Sequence, residues 1–395
     1  MTKTEIIDAA FRVWGGNFYR KTSLSQLACE LRVSKPALYR HFLNKEALTA
    51  AMSERFLDDF AGSVRDDFKN ALSADNADEG IYTIIKSISG FFARNVYAMI
   101  FSMINIYERN IDSNDLLESL KSRGVDFSTL SAVVNKKYKG DDAVIRLIFT
   151  TLTFLMSHFH KVKKTMSNQL SDEDIQKITS RIFKTIKNGL GYSPEKAALD
   201  YDKLEKQVEN TPLNTDTEPF FKAVAEAVAE TGPWEVSMEM VAKKIGLSKS
   251  SLYGHFKNKK DMLRRLFISE FMRILEYARN GINSSSNNTE QLFLGIYSIA
   301  VYLRSRPEIL VAMDWIRTRK LDIGKPDKRI EIFRLFEDVD IEPLRGASDE
   351  KKRRSSHWIL FLLINILIHS ENGVKNDNIR LLYKFITLGL GGFNK

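Results

Sequence analysis

A single cysteine, Cys29, stands in this chain of 395 residues. No intrachain disulfide can form and no thiolate cluster can hold a metal, a usage that fits a reducing compartment, the cytoplasm. Cys29 falls on the apolar side of a helical stretch and reads as a small buried hydrophobe. The opening residues MTKTEIIDAAF contain no apolar run of signal-peptide length, and Thr4 with the acids near it reads as a helix start. The longest apolar run, Trp358 to Ile368, is shorter than the roughly 20 residues a bilayer requires, so it is expected as a buried helix, with no membrane partner. His158 and His160 are two apart and point to different faces of a helix, while His357 and His369 have no matching carboxylate or cysteine cluster. The GLGG at Gly389 follows a helical stretch instead of preceding one, which makes it a helix stop and not a phosphate loop. No catalytic set, metal site or cofactor is expected.

With 44% hydrophobic and 28% charged residues, the chain has the composition of a globular protein long enough for two or more cores. Its net charge of +9 gives by itself only a weak preference for polyanions. What organises it is a repeat. SKPALYRHFLNKEAL, Ser34 to Leu48, recurs as SKSSLYGHFKNKKDML, Ser248 to Leu263, with Ser248 lying 214 residues beyond Ser34 and Tyr253 the same distance beyond Tyr39. One device is present twice.

Each copy reads as a helix-turn-helix. Leu24, Leu27, Ala28 and Leu31 make one apolar stripe on a helix, and Met238, Val241, Ala242 and Ile245 repeat it. The turns Arg32-Val33-Ser34 and Gly246-Leu247-Ser248 follow; their apolar middle residue is expected to plug into the small core, and their serine to cap a second helix. On that helix Leu38 and Phe42, or Leu252 and Phe256, form the buried pair. Lys35, Pro36, Ala37, Tyr39, Arg40 and His41 are left facing outward, as are Lys249, Ser250, Ser251, Tyr253, Gly254 and His255. Lys and Arg meet phosphates or guanine edges, Tyr and His donate to phosphate oxygens, and small residues admit the backbone, so the partner expected is double-stranded DNA. Asn44 and Asn258 look like caps of a further helix with Lys45 and Lys259 in its first turn. A lysine there opposes the helix dipole at a cost of roughly a few tenths of a kcal/mol, which suggests a phosphate nearby. The candidate DNA-binding set is completed by Ser34, Ser248, Lys45 and Lys259. Lys243, Lys244, Lys249, Lys257, Lys259, Lys260, Arg264 and Arg265 crowd the second copy with Asp261 the only acid among them, whereas Glu30 and Glu46 dilute the first. The second copy is therefore expected to carry more of the salt-sensitive affinity.

The segments starting IIDAAF at Ile6 and FFKAVA at Phe220, each running through its helix-turn-helix, resemble the DNA-binding domain of the tetracycline-repressor (TetR) family of bacterial transcription regulators. The resemblance covers only these two segments. It implies an all-α fold of two tandem TetR-like units, each an N-terminal three-helix helix-turn-helix domain followed by a helical core, with a fourth helix joining head to core. The expected boundaries are 1–50 and 219–265 for the heads, 51–191 and 266–395 for the cores, and 192–218, with Pro194 and Pro212 and a short helix over Glu195 to Val208, for a linker.

Helical patterns continue beyond the heads, through Leu48, Met52, Phe56 and Phe60 in one copy and Leu263, Phe267, Phe271 and Leu275 in the other. Further helices are expected over 81–109, 114–122, 127–138, 142–166 and 172–190, and over 290–305, 308–318, 327–339, 349–370 and 376–390; no strand-like alternation of any length occurs. The halves end alike, FKTIKNGLG up to Gly191 and YKFITLGLG up to Gly391. Ile145, Leu147, Ile148, Leu152, Leu155 and Met156, like Ile359, Phe361, Leu362, Ile364, Ile366 and Leu367, are apolar nearly all round their helices and need partners on every side. Because family members pair their last two helices in homodimers, the resemblance implies a monomeric pseudo-dimer whose halves supply that bundle to each other.

The fusion allows the two reading surfaces to diverge: Pro36, Ala37 and Arg40 become Ser250, Ser251 and Gly254, while Lys, Tyr and His are kept. Unequal operator half-sites are expected, with Arg40 the best candidate for a bidentate guanine contact. Family cores often hold an apolar ligand, for which Phe91, Phe92, Tyr97, Phe101, Met103 and Tyr107 could line a pocket or simply pack. The expected function is a sequence-specific transcription regulator, a repressor released by a small ligand. A ligand-dependent activator, a protein-interaction adaptor retaining the heads, and a small-molecule enzyme on a helical scaffold remain open at this point.

Overall fold

The computed structural model describes residues 2–16, 23–108, 113–163, 170–192, 199–212, 219–319, 335, 336, 339, 342–369 and 376–395. They form helices and connections; the one backbone bridge among them pairs Tyr138 with Asn394, and no strand forms. The all-α expectation holds. Two compact units divide the chain, residues 1–145 with 152–184 and 394–395, and residues 146–151 with 185–393.

In chain order the helices begin with α1 (Lys3–Gly16), α2 (Leu24–Glu30), α3 (Lys35–Tyr39), α4 (Lys45–Leu72) and α5 (Ala77–Arg94). Then come α6 (Val96–Glu108), α7 (Ser113–Lys121), α8 (Ser128–Val134), α9 (Asp142–Lys163) and α10 (Asp172–Asn188). The start of α1 is set by Thr2 and not by Thr4: Glu5 N–H donates to Thr2 Oγ1 at 3.2 Å and Thr2 N–H to Glu5 Oε2 at 2.6 Å, a reciprocal cap. In the first unit α4 buries Leu48, Met52, Phe56, Phe60, Val64 and Phe68, the one-face spacing read from the sequence, against α5 and α8. The single helix expected over 81–109 is broken at Asn95 (φ −122°, ψ 62°), whose backbone N–H and Nδ2 both donate to Phe91 O, at 3.0 and 2.9 Å, and so close the end of the first piece. The second piece, α6, packs on α1, where Phe101 meets Phe11 edge-on at 5.0 Å.

The second unit contains α11 (Tyr201–Glu209), α12 (Pro219–Glu235), α13 (Met238–Lys244), α14 (Lys249–His255), α15 (Lys259–Asn283), α16 (Asn288–Arg304), α17 (Pro307–Arg319), α18 (Asp349–Ile368) and α19 (Asn376–Leu388). Helix α15 packs along α16, and α12 packs on both α15 and α17. Of the apolar stripe expected on α15, Leu263, Phe267 and Leu275 are buried, whereas Phe271 is half-buried and Glu270 beside it is fully buried. Part of the expected linker is also structural. Helix α11 buries Leu204 and Val208 against α16, and Arg380 grips it with Nε on Glu205 Oε1 at 2.7 Å and Nη2 on Glu205 Oε2 at 2.7 Å and Asp202 Oδ1 at 2.6 Å. The helix expected over 327–339 lies outside the described residues except for Leu335, Phe336 and Val339, all buried.

Helix α18 is buried nearly all round, from Trp358 to Leu367, as its composition requires. Within the same unit Trp358 Nε1 donates to Thr151 Oγ1 at 3.1 Å. Segment 142–159 of α9 is long and apolar enough to cross a membrane by length and composition, and more than half of it is buried in the fold. The two GLG endings meet in this unit. Gly189 (φ +59°) and Gly389 (φ +56°) are in the left-handed region, Leu190 N–H donates to Ile386 O at 2.7 Å, and Tyr192 N–H donates to Thr387 O at 3.0 Å. A Cβ on Gly189 would lie 2.4 Å from Ile386 O, and one on Gly389 would lie 2.5 Å from Ile186 O. The two helix ends thus approach backbone to backbone in a reciprocal way, and only glycine fits at either position. Either Gly189→Ala or Gly389→Ala is expected to lower unfolding free energy by about 3 kcal/mol through overpacking against backbone and positive φ, measured by urea denaturation.

Candidate nucleic-acid interface

The heads are built from matching local rules. Ser23 and Gln26 form a capping box on α2, with Gln26 N–H donating to Ser23 Oγ at 3.2 Å and Ser23 N–H to Gln26 Oε1 at 2.7 Å; Ser237 Oγ accepts from Met240 N–H at 3.1 Å at the start of α13. Leu24, Leu27 and Ala28, like Met238, Val241 and Ala242, are buried. Cys29 is exposed, contrary to the reading of it as a buried hydrophobe: it lies one residue, a turn of about 100°, past Ala28 and off the stripe.

Both turns are Schellman motifs. Val33 N–H donates to Ala28 O and Leu247 N–H to Ala242 O, each at 2.9 Å, while Arg32 N–H reaches Cys29 O at 3.0 Å and Gly246 N–H reaches Lys243 O at 3.3 Å. The residue at the corner is left-handed in both copies, Arg32 at φ +54° and Gly246 at φ +69°. The apolar middle residue does not plug into the core as expected: Val33 is half-buried and Leu247 is 37% exposed, since the motif turns the chain outward there.

Ser34 Oγ then accepts from Ala37 N–H at 3.3 Å and Ser248 Oγ from Ser251 N–H at 3.0 Å, capping α3 and α14. Leu38, Phe42, Leu252 and Phe256 are all buried, which fixes the outward face by exclusion. Tyr39 is 50% exposed and Tyr253 48% exposed, an unusual position for so large a ring. Lys35, Pro36, Arg40 and His41 are exposed with them and Ala37 is half-buried; in the other head Lys249, Ser250, Ser251, Gly254 and His255 are exposed. Asn44 Oδ1 accepts from Ala47 N–H at 2.8 Å and Asn258 Oδ1 from Asp261 N–H at 2.9 Å, so Lys45 and Lys259 are the first residues of α4 and α15, both half-buried.

The copies differ in ways the sequence did not show. Helix α3 ends at Tyr39, which leaves Arg40 and His41 in the turn after it, whereas α14 continues to His255. The His255 ring lies 4.4 Å from that of Phe220 on α12, so this histidine also packs on its own head. Ser248 Oγ is within 2.9 Å of Ser250 Oγ and 2.7 Å of Ser251 Oγ. The basic cluster is partly compensated by neighbouring acids: Lys244 pairs with Glu230 at 2.7 Å and Lys249 with Glu239 at 3.7 Å, while Arg265 pairs with Asp261 at 3.3 Å. The Lys249 pair is exposed and weak, and a phosphate can replace its carboxylate. Leu43, overlooked in the sequence, stands 81% exposed beside Arg40 and His41, an apolar group suited to a thymine methyl.

Residues 6–52 and 221–266 match the family of bacterial regulatory proteins, tetR family. The chain carries a tetR-type N-terminal domain twice. It is 30% identical over 118 residues to the HTH-type transcriptional repressor ComR of Escherichia coli (strain K12), a match spanning 30% of this chain and 55% of that protein. Among solved structures the chain is similar to the TetR family transcriptional regulator PfmR from Thermus thermophilus, at 17% identity and TM-score 0.35 over 46% of this chain and 95% of that one. It is also similar to the fatty acid degradation regulator FadR from Bacillus halodurans, at 16% identity and TM-score 0.34 over 45% of this chain and 98% of that one.

In the tetR-type heads Leu38→Ala and Leu252→Ala are each expected to destabilise by about 3 kcal/mol, against less than about 0.5 kcal/mol for Tyr39→Phe or Tyr253→Phe, read from urea unfolding. Arg32→Gly is expected to stabilise by about 1 kcal/mol by relieving the left-handed corner, and Gly246→Ala to destabilise by a similar amount, read from thermal melting.

Proposed function

We propose that this chain is a sequence-specific DNA-binding transcription repressor of the cytoplasm, acting as a single-chain pseudo-dimer on an operator with unequal half-sites. In this reading residues 1–50 and 219–265 are the heads, 51–191 and 266–395 the cores, and 192–218 the connection. The observation that carries it is the doubled outward face: in each head the same Lys and Tyr project from a short capped helix, with a His at or just past its end, while the neighbouring Leu and Phe are buried. Ser34, Lys35, Tyr39, His41 and Lys45, with Ser248, Lys249, Tyr253, His255 and Lys259, serve as phosphate anchors; Pro36, Ala37 and Arg40 against Ser250, Ser251 and Gly254 supply the difference in base reading. The direction of regulation follows the named repressor among the relatives.

The pseudo-dimer is supported by the two alike GLG endings, whose Gly189 and Gly389 meet backbone to backbone. A single chain keeps the two heads at a fixed effective concentration that dilution does not lower. Release by a small apolar ligand is carried over from the family resemblance; in the first core Phe91 packs 5.2 Å from Phe60 and 5.3 Å from Phe92, ring against ring. Tyr97 is exposed, and the side chain of Tyr107 is outside the described residues.

Selecting bound sites from a random DNA pool tests the whole reading. Two unlike half-sites about one helical turn apart are expected, and a perfect palindrome would overturn the inequality. Arg40→Ala is expected to cost about 1–3 kcal/mol of affinity at one half-site and to relax its sequence preference, as measured by titration of each half-site variant. Mass measured at nanomolar dilution, with DNA bound, is expected to correspond to one chain.

A further inference from the structure

The caps register the two halves residue by residue. Asn44 and Asn258 cap α4 and α15 and are 214 residues apart, whereas Asn76 and Asn287 cap α5 and α16 and are 211 apart. The difference is accounted for by α15, which has 25 residues against 28 in α4. On this register Phe56 corresponds to Glu270, Phe91 to Tyr302, Asn95 to Arg306 and Tyr97 to Glu308.

The chemistry at these four positions differs between the two halves, most sharply at Phe56 and Glu270. In the first unit Phe56 and Phe91 pack at 6.3 Å, and Phe56 and Phe101 at 6.4 Å, ring contacts that join α4, α5 and α6. In the second, Glu270 is fully buried; its Oε2 accepts the Tyr302 hydroxyl proton, and its Oε1 lies 3.6 Å from Arg306 Nη2. Arg306 Nε donates to Glu308 Oε1 at 2.6 Å, and its backbone carbonyl accepts the first turn of α17 from Ile309 and Leu310, each at 3.0 Å. Burial, followed by the bond to Glu270, raises the Tyr302 hydroxyl above its ordinary range, so it stays a donor. The cluster therefore binds α15 to α16 and to the start of α17, the helix on which the second head's α12 rests.

Ring contacts tolerate small slides with little loss, because dispersion is non-directional. A buried carboxylate does not: shifting α15 against α16 separates charge from partner in a place water does not reach. The first unit does have ion pairs onto α4, Arg123 with Glu54 at 2.5 Å and with Asp58 at 2.7 Å, but both carboxylates face solvent, where such pairs give little rigidity.

We propose that the second head is latched to its core by the Glu270–Tyr302–Arg306–Glu308 cluster while the first head rests on compliant aromatic packing, so that head movement is confined to the first half. As regulation this rests on the repressor reading; as mechanics it does not. Amide hydrogen exchange of the full chain without DNA tests it, comparing peptides from α1 and α4 with peptides from α12 and α15. The second head is expected to exchange about tenfold more slowly. Tyr302→Phe, which removes one hydroxyl and keeps the ring, is expected to speed exchange in α12 and α15 about fivefold and leave α1 and α4 unchanged. Glu270→Phe combined with Tyr302→Phe, Arg306→Asn and Glu308→Tyr installs the first half's residues at all four positions and is expected to bring the two heads to equal rates. Equal rates in the unaltered chain, or a Tyr302→Phe variant whose second head exchanges as before, would overturn the latch. Neither result touches DNA selection, and failed DNA selection would leave the exchange comparison standing.

Discussion

Everything the heads present outward depends on a four-residue interval. Burying Leu38 with Phe42, and Leu252 with Phe256, fixes the rotation of α3 and α14 about their axes. Serine caps fix where those helices begin, and asparagine caps fix where the next ones begin. With rotation and both ends determined, no freedom remains over which side chains meet solvent. Tyrosine at half exposure is then a result of packing elsewhere, and its availability to a phosphate needs no further arrangement.

What was legible in the sequence is what repeats at short range. The stripe on α2 and α13, the caps Ser34, Ser248, Asn44 and Asn258, and the all-round apolar α18 follow from spacing, and the structure has them. What escaped depends on partners distant in the chain or on backbone geometry that residue type does not announce. Leu247 projects because a Schellman corner precedes it, and Arg32 adopts that corner without being glycine. Asn95 interrupts a run whose side-chain pattern is uninterrupted. Glu270 takes a core position that hydrophobicity assigns to Phe271, since the partners that make its burial tolerable, Tyr302 and Arg306, come more than thirty residues later. Acids that temper the second head's charge lie on α12 and α13, upstream of most of the basic stretch.

Duplication leaves two kinds of mark. Where backbones touch, as at Gly189 and Gly389, both copies must remain glycine, and they do. Where side chains fill a core, one copy can change its chemistry provided that several positions change together: ring contacts at Phe56 in the first unit, a hydrogen-bonded and ion-paired carboxylate at Glu270 in the second. Helix α11 shows a third course, a connecting segment recruited into one core by Arg380, so that the stretch between the halves is shorter in practice than the interval between their homologous parts.

The buried cluster has a consequence for the gene. Tandem copies exchange sequence by recombination, and a conversion tract that overwrote α15 with the sequence of α4 would place phenylalanine at position 270 while leaving Arg306 and Tyr302 behind, a cation and a hydroxyl stranded in an apolar interior. Short tracts would therefore yield misfolded chains, and only a tract spanning α15 to the start of α17 would be tolerated. The two halves are protected from being homogenised by the very positions at which they differ most.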